Sequence, residues 1–593
     1  MERRSARCQA GAGRERLLER RQLDNVIRNK PAWIQRSDAL AEPIAALYAL
    51  AAPEAASAAG LMQADAYTTD FSDGWRNRVR ESAFRATETL RAAASTEADA
   101  RVREDIDILV RAVGDVVRGL EVHDAHLVQL IDIARIAFAG LRVLLDEQNP
   151  VERKQLALVR LRRYAGLEPN AVPFACAAET ETRARLDAGG LTMPYVEEVK
   201  TALGLGPVLM DGIASLLASS ALDGWQDAFE ALRAQHSAYA RFVQSEILPR
   251  ARTDHRLPPE VYAFALHYVG VDIPPGELAA RAHAAFDAIQ AEMQALAPRV
   301  AAEHGFAAHD YRDVIRALKA NQIHGDAEAV VGFYRRRLAE IEAVVRRENL
   351  VTLPERPARI RIATVAESAE TPAAHMNPAP LVGNTGQAGE FVLPLDVPPA
   401  AGETGTERAD DFTHDAVTWT LTAHEARPGH EVQFDRMLSH GLSLARAVFA
   451  FNSVNVEGWA LYAEHVVLPY MPLAGQLCSL QMRLHRAARA FLDPELQSGA
   501  RTPDDAKALL EHELVYSSPF ARSEVERYTF RAPGQATSYF YGYAKLVALR
   551  AETEAALGAR FDQRAFHDFI LDQGLVSPDA LRAAVLERFI PAA

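Results

Sequence analysis

The spacing of apolar and polar positions divides the chain into three stretches. From 38 to 350, apolar residues recur three and four apart over long windows. "SDALAEPIAALYALAA", "IDILVRAVGDVVRGLEVHDAHLVQLIDIARIAFAGLRVLLDE" and "PGELAARAHAAFDAIQAEMQALAPRVAAEH" each predict amphipathic helix. Ser37 and Pro275 stand where helices should start, and "GVDIPPG" marks a break. The helical period continues through "GDAEAVVGFYRRRLAEIEAVVRRENL" and stops at "VTLPERP".

A different pattern follows. "ARIRIATV" (358–365) alternates and is rich in β-branched residues, which predicts a strand. Residues 366–411 are rich in Gly, Pro and Thr and lack a helical period. Within them "GEFVLPLDV" predicts a second strand, which Pro394 would confine to a sheet edge. From 412 to the end helices dominate again. The expected fold is mainly α, with a small sheet inserted before residue 412. Its expected parts are a basic leader (1–37), a helical segment (38–350), a small sheet with loops (351–411) and a second helical segment (412–593).

Composition narrows the function classes. The chain has 593 residues, a formal net charge of -14 and a pI near 5.8, which argues against nucleic acid and against an anionic membrane surface. Three cysteines, Cys8, Cys176 and Cys478, match neither a disulfide framework nor a thiolate zinc site. The first thirty residues carry nine Arg/Lys against four Asp/Glu and no apolar run of secretory type. No segment approaches eighteen apolar residues, so no membrane span is expected. These features predict a cytoplasmic protein. His123, His126, His267 and His283 fall singly on helices and read as packing residues.

Chemistry concentrates in "HEARPGHEVQ", which begins at His424. A hydrolytic zinc site needs three protein ligands, an open position for water and a nearby carboxylate base. Histidines four apart on a regular helix differ by about 40° and can share a metal, whereas six apart they differ by about 120°. A straight helix would therefore fail. Pro428 and Gly429 immediately precede His430 and predict a kink within the helix that returns His430 towards His424. Glu425 would then be the general base. Downstream, "NSVNVEGWALYAEHVV" offers Glu457 as third ligand, and Glu464, a heptad later on the same face, as the residue orienting a histidine. "EVERYTFRAPGQATSYFYGY" (524–543) groups tyrosines, two arginines and a Pro-Gly break. Its hydroxyls suit an oxyanion and its guanidiniums a carboxylate.

With these blocks in place, the chain resembles the bacterial family known as domain of unknown function 885. That family is itself similar to helical, deep-cleft zinc metallopeptidases whose third ligand is a glutamate. The resemblance rests on "HEARPGH", "EGWALYAE" and "RYTFRAPGQATSYFYG", with weaker similarity in "LPPEVYAFALHYVGVDIPPGEL" and "YRDVI". It extends over one continuous domain from about residue 40 to the end. It implies one Zn2+ held by His424, His430 and Glu457, with Glu425 as base. Arg527, Tyr528, Gln535 and Tyr539 would line the substrate cleft, with Tyr539 as the oxyanion donor and Tyr543 in reserve. The chain departs from the family pattern at Glu431 and Gln497, where histidines are usual.

The implied function is zinc-dependent hydrolysis of a peptide or amide bond in a small peptide-like substrate. Two alternatives stay open: a metal-free pseudoenzyme or ligand-binding protein, and a zinc lyase or isomerase.

Overall fold

A computed structural model describes residues 30–323, 326–397 and 407–593. Helices occupy most of the chain, and their boundaries follow the apolar spacing. Pro275 opens the helix Pro275–His304 (α1), as its position predicts. Ser37 opens nothing. The first described helix runs Ala32–Ala51, and Ser37 lies buried within it, donating to Asp105 Oδ2 at 2.6 Å. Residues 32–37 of the expected leader are therefore helical, and residues 1–29 lie outside the described residues.

Val196–Ser219 is the one helix among the described residues long and apolar enough by composition to cross a membrane, contrary to the expectation that no segment comes close. Its buried residues, among them Leu209, Ile213 and Leu217, pack on the helix Ile133–Leu145.

The sheet differs from expectation in order. Strands β1 (Arg359–Ile362), β2 (His375–Asn377) and β3 (Glu390–Leu393) form one sheet in the order β1-β3-β2. β3 is parallel to β1, with Ile360 opposite Phe391, and antiparallel to β2, with Met376 opposite Phe391. The strand predicted for an edge is therefore central, and Pro394 falls just beyond its end, where no ladder donor is needed. Every residue of β3 is buried, Glu390 included, whose carboxylate accepts from Arg361 at 2.6 Å. Between β1 and β2 lies a short helix, Val365–Glu370, in a segment expected to lack one. A reciprocal Thr364–Glu367 capping box closes its first turn.

Two of the three buried clusters draw on residues from both halves of the chain. One joins Tyr262 and Phe286 to Leu484, Phe491 and Tyr528, and another joins Leu47 and Leu109 to Trp459, Tyr462 and Leu546. The third stays between Ile131 and Ala369.

Six further helices frame the site: α2 (Ala327–Arg347), α3 (Asp415–Leu421), α4 (His430–His440), α5 (Ser453–Val467), α6 (Leu473–Ser498) and α7 (Ser538–Leu557). α6 is buried on nearly every face and packs along α1, which makes it the axis of this half of the molecule. α5 and α7 meet through glycines. A β-carbon on Gly542 would lie 1.9 Å from the Val454 carbonyl oxygen, and one on Gly458 would lie 2.6 Å from the Gly542 backbone. Only glycine permits that approach.

Candidate metal centre

The helix that begins at α3 widens into a π-type turn over Thr422–Ala426, which carries His424 and Glu425. Such widened turns re-aim side chains that a regular helix would spread round its surface. The helix then ends. Arg427 is extended, the Arg427–Pro428 bond is cis, and Gly429 caps a new helix, α4, that starts at His430. The expected kink within one helix is thus a full break between two helices.

Close backbone approach closes the break. A β-carbon on Gly429 would lie 1.9 Å from the His424 carbonyl oxygen, so glycine alone lets the chain fold back here. Trp459 of α5 clamps the turn by donating its indole N–H to the carbonyls of Pro428 and Gly429, each at 3.1 Å. The two imidazoles, six residues apart in sequence, end with ring centroids 4.9 Å apart.

Glu457 completes the group. One ligand atom from each of His424, His430 and Glu457 lies within 4.8 Å of the others. Glu457 Oε2 stands 3.6 Å from His424 Nε2 and 3.4 Å from His430 Nε2, yet it is buried and has no hydrogen-bond partner. Tetrahedral ligands at 2.0–2.1 Å from a shared ion would be about 3.4 Å apart. The donor set and spacing therefore fit a divalent cation with three protein ligands.

Charge around the group favours a cation. Burial alone would lower the His424 pKa, but Glu425, Glu457 and Glu464 raise it to about 9. Burial would likewise raise Glu457, yet the two histidines hold it well below the usual carboxylate range. Glu425 lies 4.0 Å from His424 Nε2, on the side of the ring that faces the group. Behind the ring, Glu464 Oε1 is 2.7 Å from His424 Nδ1 and its other oxygen accepts from Thr420. That keeps a proton on Nδ1, donated to Glu464, and turns Nε2 towards Glu457. Burial would raise Glu464 too, but Arg486, His424 and Thr420 keep its pKa lowered.

The 524–543 cluster divides by the partners of its side chains. Arg527 donates through Nη2 to the hydroxyl of Tyr539 at 3.1 Å and also to Gln535 Oε1. Gln535 Nε2 in turn lies 3.5 Å from Glu457 Oε1 and 3.2 Å from Ser453 Oγ. The Tyr539 ring lies parallel to His424, with centroids 6.2 Å apart. These three residues adjoin the triad. The other three tyrosines are committed elsewhere: the fully buried Tyr528 donates to Glu524 at 2.7 Å, Tyr541 donates to Asp272, and the Tyr543 hydroxyl is 3.1 Å from His465 Nδ1. Tyr528 is thus enclosed and bonded to Glu524, and the Tyr543 hydroxyl faces His465 and not Arg527.

The sequence reading missed α6. Arg486 and Arg489 project from it onto the Tyr539 ring, their guanidinium carbons 5.7 and 4.6 Å from its centroid. Arg489 grips Glu524 through Nε and Nη2 at 2.8 and 2.6 Å. Their mark in the sequence is "RLHRAARAF", charges set into an otherwise apolar run.

A family profile described as a bacterial protein of unknown function (DUF885) matches residues 53–585. The chain belongs to the DUF885 family. Two solved structures share its fold. One, a candidate lipoprotein of unknown function from Shewanella oneidensis, is 20% identical, with a TM-score of 0.70 over 94% of this chain and 100% of that one. The other, a candidate lipoprotein from Colwellia psychrerythraea, is 18% identical, with a TM-score of 0.71 over 93% of this chain and 100% of that one. A candidate oligoendopeptidase F from Bacillus anthracis str. Ames reaches a TM-score of only 0.28 at 11% identity, covering 87% of this chain and 96% of that one, which establishes no common fold. No curated protein matches the chain.

The two positions read from sequence as departures from the family pattern bond within the scaffold. Glu431 is buried and accepts from Arg427 Nε and Nη2 at 2.7 and 3.0 Å, and Arg427 also reaches Glu342 at 2.6 Å. That network pins the turn before His430. Gln497 accepts from the Leu257 N–H at 2.9 Å and donates to the Tyr528 carbonyl at 2.8 Å.

Proposed function

We propose that this DUF885 member is a zinc-dependent hydrolase cutting a peptide or amide bond in a small peptide-like substrate. The supporting observation is the unbonded approach of Glu457 Oε2 to two imidazole nitrogens at 3.4 and 3.6 Å, in a buried setting where a carboxylate oxygen otherwise finds a donor. When bound by His424, His430 and Glu457, zinc supplies a Lewis acid for the carbonyl and a nucleophilic hydroxide near neutral pH.

The chain's own groups do the rest. Glu425 takes the proton of the attacking water and returns it to the leaving nitrogen. Tyr539 donates to the carbonyl oxygen as charge grows on it. Its hydroxyl already accepts from Arg527, so its hydrogen is free for that role, and burial raises its pKa, which keeps the hydrogen in place. Glu464 fixes the His424 tautomer, and Gln535 braces Glu457. Both edges of β3 are paired within the sheet, so it offers no free edge to an extended substrate. Glu431 and Gln497 bond within the scaffold, so neither residue takes a group away from the triad.

The deciding experiment measures metal by mass spectrometry in untagged protein purified without chelator, wild type beside His430→Ala, followed by a peptide-library digest. About one zinc per chain, lost in the variant, together with cleavage abolished by Glu425→Gln, is expected. Zinc absent from the wild type even after addition overturns the reading.

A further inference from the structure

Three guanidiniums surround the Tyr539 ring, and they are not equally satisfied. Arg489 has a carboxylate, Glu524, in two hydrogen bonds. Arg527 does not: its partners are the neutral Gln535 and Tyr539 oxygens, and its nearest carboxylate, Glu524, is 3.8 Å away. Arg486 is more isolated still. Its side chain is 7% exposed, its Nε has no hydrogen-bond partner, and its Nη1 reaches only the carbonyl and sulfur of Met482, at 3.4 and 3.0 Å. Its nearest carboxylate, Glu464 at 3.8 Å, is already held by His424 and Thr420.

A guanidinium is charged at every relevant pH, and burying one without a carboxylate in hydrogen-bond range is costly. Two such groups beside one ring, next to the triad, leave donors to spare for an anion. Arg527, with 22% of its side chain exposed against 7% for Arg486 and 5% for Arg489, is the most solvent-accessible of the three. It touches the hydroxyl that would contact the scissile carbonyl oxygen, so the anion it meets lies close to the scissile bond. In a peptide-like substrate, the free carboxylate closest to a scissile amide is the α-carboxylate of the leaving amino acid.

We propose that Arg527, backed by Arg486, forms a carboxylate subsite for the leaving residue, so that the enzyme's substrates are amides whose leaving amine is an amino acid with a free carboxylate. Small peptides cut at the carboxyl end and N-acylated amino acids both meet that description. The inference rests on the hydrolase reading for its chemistry but not for its binding. In the reaction, water's oxygen bonds to the acyl carbon and the C–N bond breaks. Both water protons end on the nitrogen, the first carried by Glu425, and the products are an acyl carboxylate and a free amino acid with an ammonium group.

The test uses a pool of N-acetylated amino acids and the matching pool of primary amides. Binding to metal-free full-length protein is measured by thermal shift and calorimetry, and cleavage by zinc-loaded protein by mass spectrometry. The acid pool is expected to bind and the amide pool not. Arg527→Gln should weaken acid binding by about 100-fold, with Arg527→Lys recovering part of it. Circular dichroism and metal content check that each variant is folded. Equal binding of both pools, no binding of either, or acid preference intact in Arg527→Gln overturns the subsite. Cleavage of library peptides without carboxylate preference sinks the subsite and leaves the hydrolase. Acid-selective binding without cleavage of anything sinks the hydrolase and leaves the subsite.

Discussion

Glu464 Oε1 lies 2.7 Å from His424 Nδ1, and both side chains are 2% exposed. A carboxylate so placed removes one of the two tautomers available to the histidine and prevents its ring from turning. Glu464→Gln keeps the shape but loses the charge, so zinc affinity should fall about 10- to 100-fold. Competition against a chelator of known affinity measures this. Unchanged affinity would mean that the ring is held by packing alone.

Tyr539 and Tyr543 sit one helical turn apart on α7 with different partners, Arg527 for the first and His465 for the second. Tyr539→Phe should lower kcat by about 10²- to 10³-fold with little change in KM, as loss of an oxyanion donor does. Tyr543→Phe should leave kcat close to wild type. Steady-state kinetics on the best library peptide separates the two, and equal losses would refute the assignment.

Asp493, at the end of α6, is wholly buried against the Tyr262 hydroxyl at 2.7 Å and the Gly534 N–H at 2.9 Å. Burial raises its pKa from 3.8 to about 7, against the pull of those donors and of Arg527. A folded-state pKa above the unfolded one gives stability that is complete below the unfolded value and is lost as pH rises through the folded value. Between pH 4 and 7 this group should thus lower stability by up to about 1.4 kcal/mol per pH unit. Asp493→Asn should flatten that part of the profile. Chemical denaturation of both proteins at several pH values reads the difference, and parallel profiles would place the slope elsewhere.

The triad was legible because its residue types are scarce and the Pro-Gly pair offered a way for His430 to return. What could not be read was how the chain returns. A kink and a full break have the same residues, and only the contact of Gly429 with the His424 carbonyl and the Trp459 clamp decide between them. The tyrosines of 524–543 looked alike for a similar reason: the sequence places them together, but their partners come from α5 and α6 and from Glu524. Arg486 and Arg489 escaped notice since arginines on a helix usually face water, whereas α6 has almost no water-facing side. The sheet order failed on one residue, as Pro394 belongs just past β3 and not inside it. The helix at Val365–Glu370 was too short to show a period, although Thr364 and Glu367 carried its start signal.

The glycine contact between α5 and α7 has a consequence for how the site tolerates change. Glu457 precedes Gly458 on one helix, and Tyr539 lies a turn before Gly542 on the other. The pair works as a spacer of zero thickness, and the gap between the carboxylate and the phenol is set where the two backbones touch. A single methyl group at either glycine would widen that gap, so two residues with no side chain of their own set the spacing between Glu457 and Tyr539.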